Sequence, residues 1–318
     1  MTIEQSPKLM RDAYCETLTA AAERDGRVIV LDADLIGSSG MKPFFKKFPE
    51  RAIQCGIAEA NMLGVAAGLS LTGKIPFAHS FAPFVTRRAC DQLFVSGAYA
   101  KLNIRVLGSD PGITAAYNGG THMPFEDMAI LRAVPGITLL EPCDPVAVSE
   151  LTRQLAEDNL YGIYYIRMAR KNAAAIYKNG EKFTIGKGKI LQEGTDVTLF
   201  ASGIMVAEAL IAADALAGEG VSARVVDLFT WKPIDADLIR ESAERTGAFV
   251  TCENHNIYGG LGSAVAEASA QSRPVPIEFV GVNDRFGQVG TESYLRSEYE
   301  LTAEHIATAA KRAVSRKM

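Results

Sequence analysis

The chain has 318 residues, of which 48% are hydrophobic and 22% are charged. This length is typical of two domains, and the composition is that of a soluble globular protein with a large core. Lys and Arg number 33 against 37 for Asp and Glu, which gives a net charge of −4. A nucleic-acid or anionic-membrane surface is therefore not expected, because such surfaces need an excess of positive charge.

Targeting and metal-binding motifs are equally scarce. The N-terminus is polar, so no signal peptide is predicted. The sequence contains no run of about 18 apolar residues, so no membrane span is predicted, and we expect a soluble cytoplasmic protein. The cysteines form no CxxC pair and the histidines show no metal-ligand spacing, so we expect neither disulfides nor a metal bound by this chain. These residues are Cys15, Cys55, Cys90, Cys143, Cys252, His79, His122, His255 and His305.

Predicted strands and helices alternate along the chain. Short apolar runs predict buried parallel strands at 28–31, 104–107, 137–140, 163–166, 197–201, 223–226 and 249–252. Helices are predicted at 7–23, 58–71, 83–101, 145–157, 205–217 and 302–317. Ser6 is the expected N-cap of the first of these helices. This alternation predicts an α/β fold with parallel sheets.

One segment interrupts the alternation. Residues 168–188 have a low apolar content and contain the turn-forming pair Asn179-Gly180. We therefore predict a first domain at 1–170, a linker at 171–188 and a second, smaller domain at 189–318.

A glycine-rich segment, residues 258–263, follows a predicted strand and precedes a predicted helix. It lacks the full GxGxxG spacing of a dinucleotide loop. A tight turn into a helix is one interpretation of this segment, and a nucleotide-binding loop is the other.

Glu59 is the most informative acid, because it lies in the first turn of a helix that is otherwise small and apolar. The helix dipole alone would favour an acid there. The apolar surroundings instead suggest burial in an interface, where a carboxylate needs a partner. Burial of this kind makes Glu59 a candidate functional residue, whereas the helix dipole alone would give it a purely structural role.

Two further features lie where predicted strands end. Phe81 and Phe84 are three residues apart at a strand-to-helix junction, which fits either core packing or a platform for a flat ring. The polar loop 109–124 contains His122 and follows a strand. Because α/β proteins bind ligands at the carboxyl ends of their strands, this loop is a binding loop or else a flexible connection.

Three segments, 55–73, 76–93 and 118–144, resemble the pyrimidine-binding domain of transketolase-type, thiamine diphosphate-dependent enzymes. Their sequences are CGIAEANMLGVAAGLSLTG, PFAHSFAPFVTRRACDQL and NGGTHMPFEDMAILRAVPGITLLEPCD. The segments 198–210, 225–235 and 253–268 are similar to the C-terminal domain of the same family. The resemblance implies a doubly wound parallel-sheet domain followed by a smaller α/β domain.

The family also includes deoxyxylulose-5-phosphate synthase and the beta subunits of 2-oxoacid and acetoin dehydrogenases. The sequence THMPFED and the residues around Arg167 look closer to transketolase. The resemblance therefore implies transfer of a two-carbon ketol unit between sugar phosphates. The other family activities, and a non-catalytic module that retains the fold, remain alternatives.

The GDG motif with which the family binds diphosphate and magnesium does not occur in the sequence. The resemblance therefore implies the C-terminal subunit of a split transketolase. A separate N-terminal subunit would bind the diphosphate and would supply most of the ligands of Mg²⁺ or Ca²⁺. We expect a homodimer or an α2β2 assembly.

The resemblance also implies roles for particular residues. Glu59 matches the glutamate that hydrogen-bonds the pyrimidine N1′ and favours its imino tautomer, and His122 matches a position near the reacting carbons. The implied cofactor contacts are Asp34, Leu35, Glu59, Phe81, Phe84 and Arg87. The implied substrate contacts are Arg11, Ser38, Asn118, His122 and Arg167.

Three positions depart from the pattern of the family. Arg87 stands where a third aromatic is common, Ser109 where a histidine is common, and Asn118 where an aspartate is common. These changes spare the thiamine chemistry and affect the substrate. We expect a phosphorylated ketose, with a modified or branched sugar phosphate as the other choice.

Overall fold

The computed structural model describes residues 2–171 and 173–317, which divide into two compact units. The N-terminal unit consists of Gln5–Pro111 and Ile130–Phe183. The C-terminal unit consists of residues 2–4, 112–129 and 184–317. Within the described residues, no helix combines the length and hydropathy needed to cross a membrane.

Twelve strands occur in the described residues, and six of them belong to each unit. They are β1 (Val28–Asp32), β2 (Ala52–Gln54), β3 (Ile75–Phe81), β4 (Ile104–Ser109), β5 (Ile137–Leu140), β6 (Ile163–Met168), β7 (Lys189–Gln192), β8 (Val197–Ala201), β9 (Ala223–Asp227), β10 (Thr230–Lys232), β11 (Phe249–Asn256) and β12 (Ile277–Val282).

Eleven α-helices lie in the same described part of the chain. They are α1 (Met10–Arg24), α2 (Lys42–Lys47), α3 (Glu59–Leu71), α4 (Ala82–Thr86), α5 (Asp127–Arg132), α6 (Pro145–Glu157), α7 (Met205–Gly218), α8 (Ala236–Thr246), α9 (Leu261–Ser272), α10 (Glu292–Glu298) and α11 (Ala303–Ser315).

The N-terminal unit is built on a parallel sheet. Its strands neighbour one another in the order β5-β6-β4-β3-β1-β2, and every neighbouring pair is parallel. Strands β1, β3, β4 and β6 are buried along their whole length, as expected for strands covered on both faces. The carboxyl ends of these strands therefore share one edge of the sheet.

The C-terminal unit contains a smaller sheet of five strands in the order β12-β11-β8-β9-β7. Its first four strands are parallel, and the edge strand β7 pairs antiparallel with β9. The predicted α/β fold, with a larger parallel-sheet domain followed by a smaller one, is confirmed.

The loop that follows β4 belongs to the C-terminal unit although its sequence lies in the middle of the N-terminal one. The backbone N–H of Ile113 donates to the side-chain oxygen of Asn254 at 2.9 Å. The backbone N–H of Asn256 donates to the carbonyl of Phe125 at 2.8 Å. A Cβ at Gly112 would lie 2.2 Å from the Asn254 oxygen, so only glycine permits this approach.

Two predictions about helices were wrong. The first helix begins at Met10, and Leu9 stands at its N-cap position, because Ser6 is held outside the helix by an N–H bond of 2.8 Å to the carbonyl of Ala173. The predicted helix 83–101 is divided into α4 and a π-helix at Gln92–Tyr99. The Thr86 hydroxyl donates to the carbonyl of Ala82 at 2.6 Å, a bond that competes with the regular helical pattern.

Candidate functional site

The buried carboxylate of Glu59 lies where α3 begins, beside the carboxyl end of β3. Glu59 is 1% exposed. Its Oε1 accepts a hydrogen bond from the Ser80 hydroxyl at 2.8 Å, and its Oε2 accepts one from Nη1 of Arg88 at 2.6 Å. Both oxygens thus have a donor, which a buried carboxylate requires.

Two aromatic rings lie at the same end of β3. Phe81 ends the strand and is buried, and Phe84 is half-buried in α4. Their ring centroids are 6.2 Å apart and the planes meet at 67°. The Arg88 guanidinium carbon is 4.2 Å from the Phe84 centroid, and that of Arg170 is 5.4 Å from the Phe81 centroid. Each aromatic ring therefore faces an arginine.

A second buried acid follows β4. Asp110 is 1% exposed, and its Oδ2 lies 2.7 Å from Nε of Arg170. Burial raises the pKa of Asp110 to about 6, against the opposing influence of the Arg170 and Lys171 charges. This edge of the sheet therefore carries two acids, each paired with an arginine that also stacks on a phenylalanine.

The loop after β1 is held by Asp32. Its carboxylate accepts the backbone N–H of Leu35 and, at 3.0 Å, the Ser39 hydroxyl, while burial raises its pKa. Asp34 adopts a left-handed backbone conformation with φ of 61° and donates its N–H to the Gln54 side chain at 2.7 Å. Asp34 and Leu35 thus lie in an ordered loop at the carboxyl edge of the sheet.

The predicted phosphate-binding residues of the N-terminal unit fall into two groups. Nη1 of Arg11 donates to the carbonyl of Ser38 at 3.3 Å, so these two residues are in contact. Arg167 is fully buried in β6 and forms an ion pair with Glu141.

Arg87, a predicted cofactor contact, is exposed at the end of α4.

Asn118 and His122 belong to the C-terminal unit, on the loop that follows β4. Asn118 is exposed and His122 is half-buried, with its Nδ1 2.9 Å from the Thr121 hydroxyl. A Cβ at Gly120 would lie 2.3 Å from the carbonyl of Gly287. This close packing favours an ordered loop over a flexible connection.

The glycine-rich segment 258–263 forms the tight turn that the sequence allowed. The buried Glu253 carboxylate accepts the backbone N–H groups of Leu261 at 2.7 Å and Gly262 at 2.9 Å. A Cβ at Gly260 would lie 2.0 Å from this carboxylate. Since Glu253 fills the N-terminus of α9, a phosphate could not bind there, and the nucleotide-loop interpretation is wrong.

Sequence reasoning missed four residues of the site, namely Ser80, Arg88, Asp110 and Arg170. One signal was available: Phe84 and Arg88 are four residues apart, which places them on one face of a continuing helix. The other contacts join residues far apart in the sequence. Among the described residues, no group of three or more His, Cys, Asp or Glu side chains could hold a metal ion.

Comparisons with known proteins identify the class that this fold and site define. The transketolase pyrimidine-binding domain family matches residues 6–175, and the transketolase C-terminal domain family matches residues 186–306. The chain belongs to the transketolase family.

Its relatives include proteins named as transketolase subunits. The chain is 50% identical to the 6-deoxy-6-sulfo-D-fructose transketolase subunit SqwH of Clostridium sp. (strain MSTE9), over 97% of this chain and 95% of that protein. It is 34% identical to one subunit of the apulose-4-phosphate transketolase of Phocaeicola vulgatus, over 94% of this chain and 96% of that protein.

A solved structure agrees. A split-gene transketolase, described as an inactive beta4 tetramer, superposes with a TM-score of 0.91 at 42% identity, and the match covers 98% of this chain and 99% of that one. The predicted resemblance to the C-terminal subunit of a split transketolase is confirmed.

Proposed function

We propose that this chain is the pyrimidine-binding half of a thiamine diphosphate-dependent transketolase, which transfers a two-carbon ketol unit between sugar phosphates. The observation that carries the proposal is Glu59, a carboxylate 1% exposed at the start of α3 and next to the aromatic pair Phe81 and Phe84.

The residues present fit the pyrimidine end of the cofactor. Such a ring needs an acid at one ring nitrogen and an apolar surface for its face, and Glu59 and the two phenylalanines supply these. When bound, thiamine diphosphate supplies the nucleophilic carbon and the electron sink. The role of Glu59 is to hold a proton at the pyrimidine N1′, and its burial strengthens that hydrogen bond. Asp34, Leu35 and Arg87 are the remaining proposed contacts with the cofactor.

The other half of the site would come from an N-terminal subunit. The sequence lacks a GDG motif, and two relatives are themselves named as subunits. We assign the diphosphate, and the Mg²⁺ or Ca²⁺ that accompanies it, mainly to that partner. The working enzyme would be an α2β2 assembly, or a homodimer of this chain joined by its partner, in the cytoplasm.

Substrate recognition would rest on cationic and polar groups. Arg11, Ser38 and Arg167 are the proposed phosphate contacts, and Asn118 and His122 are the proposed sugar contacts, with His122 acting near the reacting carbons. A guanidinium binds phosphate and sulfonate oxygens alike. A 6-sulfonated ketose is therefore a second candidate donor, favoured by the 50% identity to the sulfofructose transketolase subunit.

The test is calorimetric titration of thiamine diphosphate and Mg²⁺ into this chain alone and into its complex with the co-expressed N-terminal subunit. We expect binding only in the complex. The loaded complex is then offered fructose 6-phosphate, 6-deoxy-6-sulfofructose and a 2-oxoacid as donors, with an aldose phosphate as acceptor. Tight binding to the isolated chain would contradict the divided site, and turnover of the 2-oxoacid alone would contradict ketol transfer.

A further inference from the structure

Arg88 holds the carboxylate through which this chain would bind its cofactor. Its guanidinium donates to Glu59 at 2.6 Å and lies 4.2 Å from the Phe84 centroid. The acid and the aromatic face are the two features that a pyrimidine ring would use. We propose that Arg88 competes with the pyrimidine for Glu59 and for the face of Phe84, and has to be displaced before the ring can bind. This inference rests on the proposed function.

The chemistry of the guanidinium makes it a suitable substitute. It is flat and delocalised, it carries N–H donors in its plane, and it stacks on aromatic faces. An aminopyrimidine that bonds a carboxylate has the same three properties. Arg88 thus donates a hydrogen bond to Glu59 and covers the ring of Phe84, as a bound pyrimidine would do.

Burial differs sharply between the two partners, and this difference decides which of them moves. The Arg88 side chain is 44% exposed, whereas that of Glu59 is 1% exposed. Ser80, the second donor to Glu59, is also buried. Arg88 can therefore swing into solvent, while Glu59 and Ser80 keep the arrangement that the ring would meet.

The ion pair between Glu59 and Arg88 stabilises the chain and weakens cofactor binding. Without Arg88 the buried charge of Glu59 would keep only the hydrogen bond from Ser80, so the ion pair stabilises the chain. Cofactor binding has to break this ion pair, which lowers the apparent affinity. Removing Arg88 destabilises the chain before the cofactor binds and leaves the bound complex unchanged, so cofactor affinity rises.

The experiment measures the Kd of thiamine diphosphate with Mg²⁺ by calorimetry, using the complex of this chain with its N-terminal subunit. Arg88→Met is expected to bind roughly three- to tenfold more tightly than wild type, since an ion pair with one exposed partner has that order of strength. Arg88→Lys keeps the charge and loses the flat fork, so its Kd should lie between the two. The matched control, Arg240→Met, removes the arginine of a surface pair with Glu244 and leaves the Kd unchanged.

A double-mutant cycle separates displacement from a general effect on folding. In a Glu59→Gln background Arg88 has no ion pair to break, so Arg88→Met should alter the Kd less than about twofold there. The inference would be overturned if Arg88→Met had an unchanged or higher Kd in the wild-type background. An equal gain in affinity in both backgrounds would also overturn it. If the wild-type complex binds no thiamine diphosphate, the proposed function itself fails, so the two failures are distinguishable.

Discussion

Glu59 is an acid in an apolar setting, and its two hydrogen-bond donors fix the position of its carboxylate. Glu59→Gln keeps the shape and the bond from Ser80 but cannot hold a proton at the pyrimidine N1′. We expect kcat of the reconstituted enzyme to fall by about 10²- to 10⁴-fold, the range of a lost acid–base group. The thermal unfolding midpoint should change little.

Steady-state ketose turnover measures this effect, and Glu50→Gln, at an exposed acid of the same unit, is the control with unchanged turnover. Activity of Glu59→Gln within a few-fold of wild type would remove Glu59 from the mechanism.

His79 lies in the middle of a family motif, and its protonation affects the stability of the fold. It is 1% exposed in β3, and its Nε2 lies 2.7 Å from the Tyr14 hydroxyl. Burial lowers its pKa to about 3 from 6.5. The folded state therefore excludes a proton that the unfolded state accepts, so stability present above pH 6.5 is lost as the pH falls towards 3.

The measurement compares unfolding free energies from urea titrations at about pH 7.5 and about pH 5. For wild type, His79 should contribute a loss of about 2 kcal/mol over this interval. His79→Gln keeps a polar group near Tyr14 without titrating, so its loss should be smaller by that amount. Equal losses in both proteins would show that His79 is protonated when folded. Other groups, such as Asp110, cancel in the comparison.

At the scale of elements, the N-terminus of α9 is paired with an acid of the same chain. The carboxylate of Glu253 is the anion that the dipole of this helix favours. Glu253→Gln leaves one of two backbone N–H groups without an acceptor. The unfolding free energy of the C-terminal unit should fall by about 1–3 kcal/mol.

The single tryptophan, Trp231, is buried in this unit and reports its unfolding by fluorescence. Glu244→Gln, at a half-exposed surface pair, should leave the transition in place. An unshifted transition for Glu253→Gln would mean that water accepts the remaining backbone N–H bond without a loss of unfolding free energy.

Elements were predictable where one physical pattern dominated. All seven predicted strands are present, because apolar runs of four to six residues are a direct consequence of burial between helices. Strand β3 was expected from the junction at Phe81 and Phe84, but its bounds were not predicted, because Pro76, His79 and Ser80 interrupt its apolar run. At the site, the apolar character of α3 indicated that Glu59 is buried. Its ion pair with Arg88 could not be found, because no spacing rule links residues on separate elements.

We expect the proposed assembly to use the outer face of α3, whose small residues allow close contact between helices. Gly64 and Gly68 lie on this face, and a Cβ added to either would have nothing within 4 Å. Ile57 and Leu71 flank them at 74% and 75% exposure. Gly68→Glu should therefore fold normally, with an unchanged or slightly raised unfolding midpoint. It should also place a charge in the interface between chains.

Sedimentation velocity at micromolar concentration should show smaller species for Gly68→Glu than for wild type. Gly218→Glu, on α7 and likewise open around its Cβ, should sediment as wild type does. A wild-type chain that is a folded monomer at this concentration would contradict the assembly, and an unchanged Gly68→Glu would place the interface elsewhere.

The return of Gly112–Ala129 into the C-terminal unit has a consequence for how the protein is made. Ile113 leaves the ribosome 141 residues before Asn254, the residue that receives its N–H. At the usual pace of translation that interval is roughly 7 to 28 s. All residues of the N-terminal unit have been made once Phe183 is added, so that unit can fold while this loop is still unpacked, and the C-terminal unit is completed only near the end of synthesis.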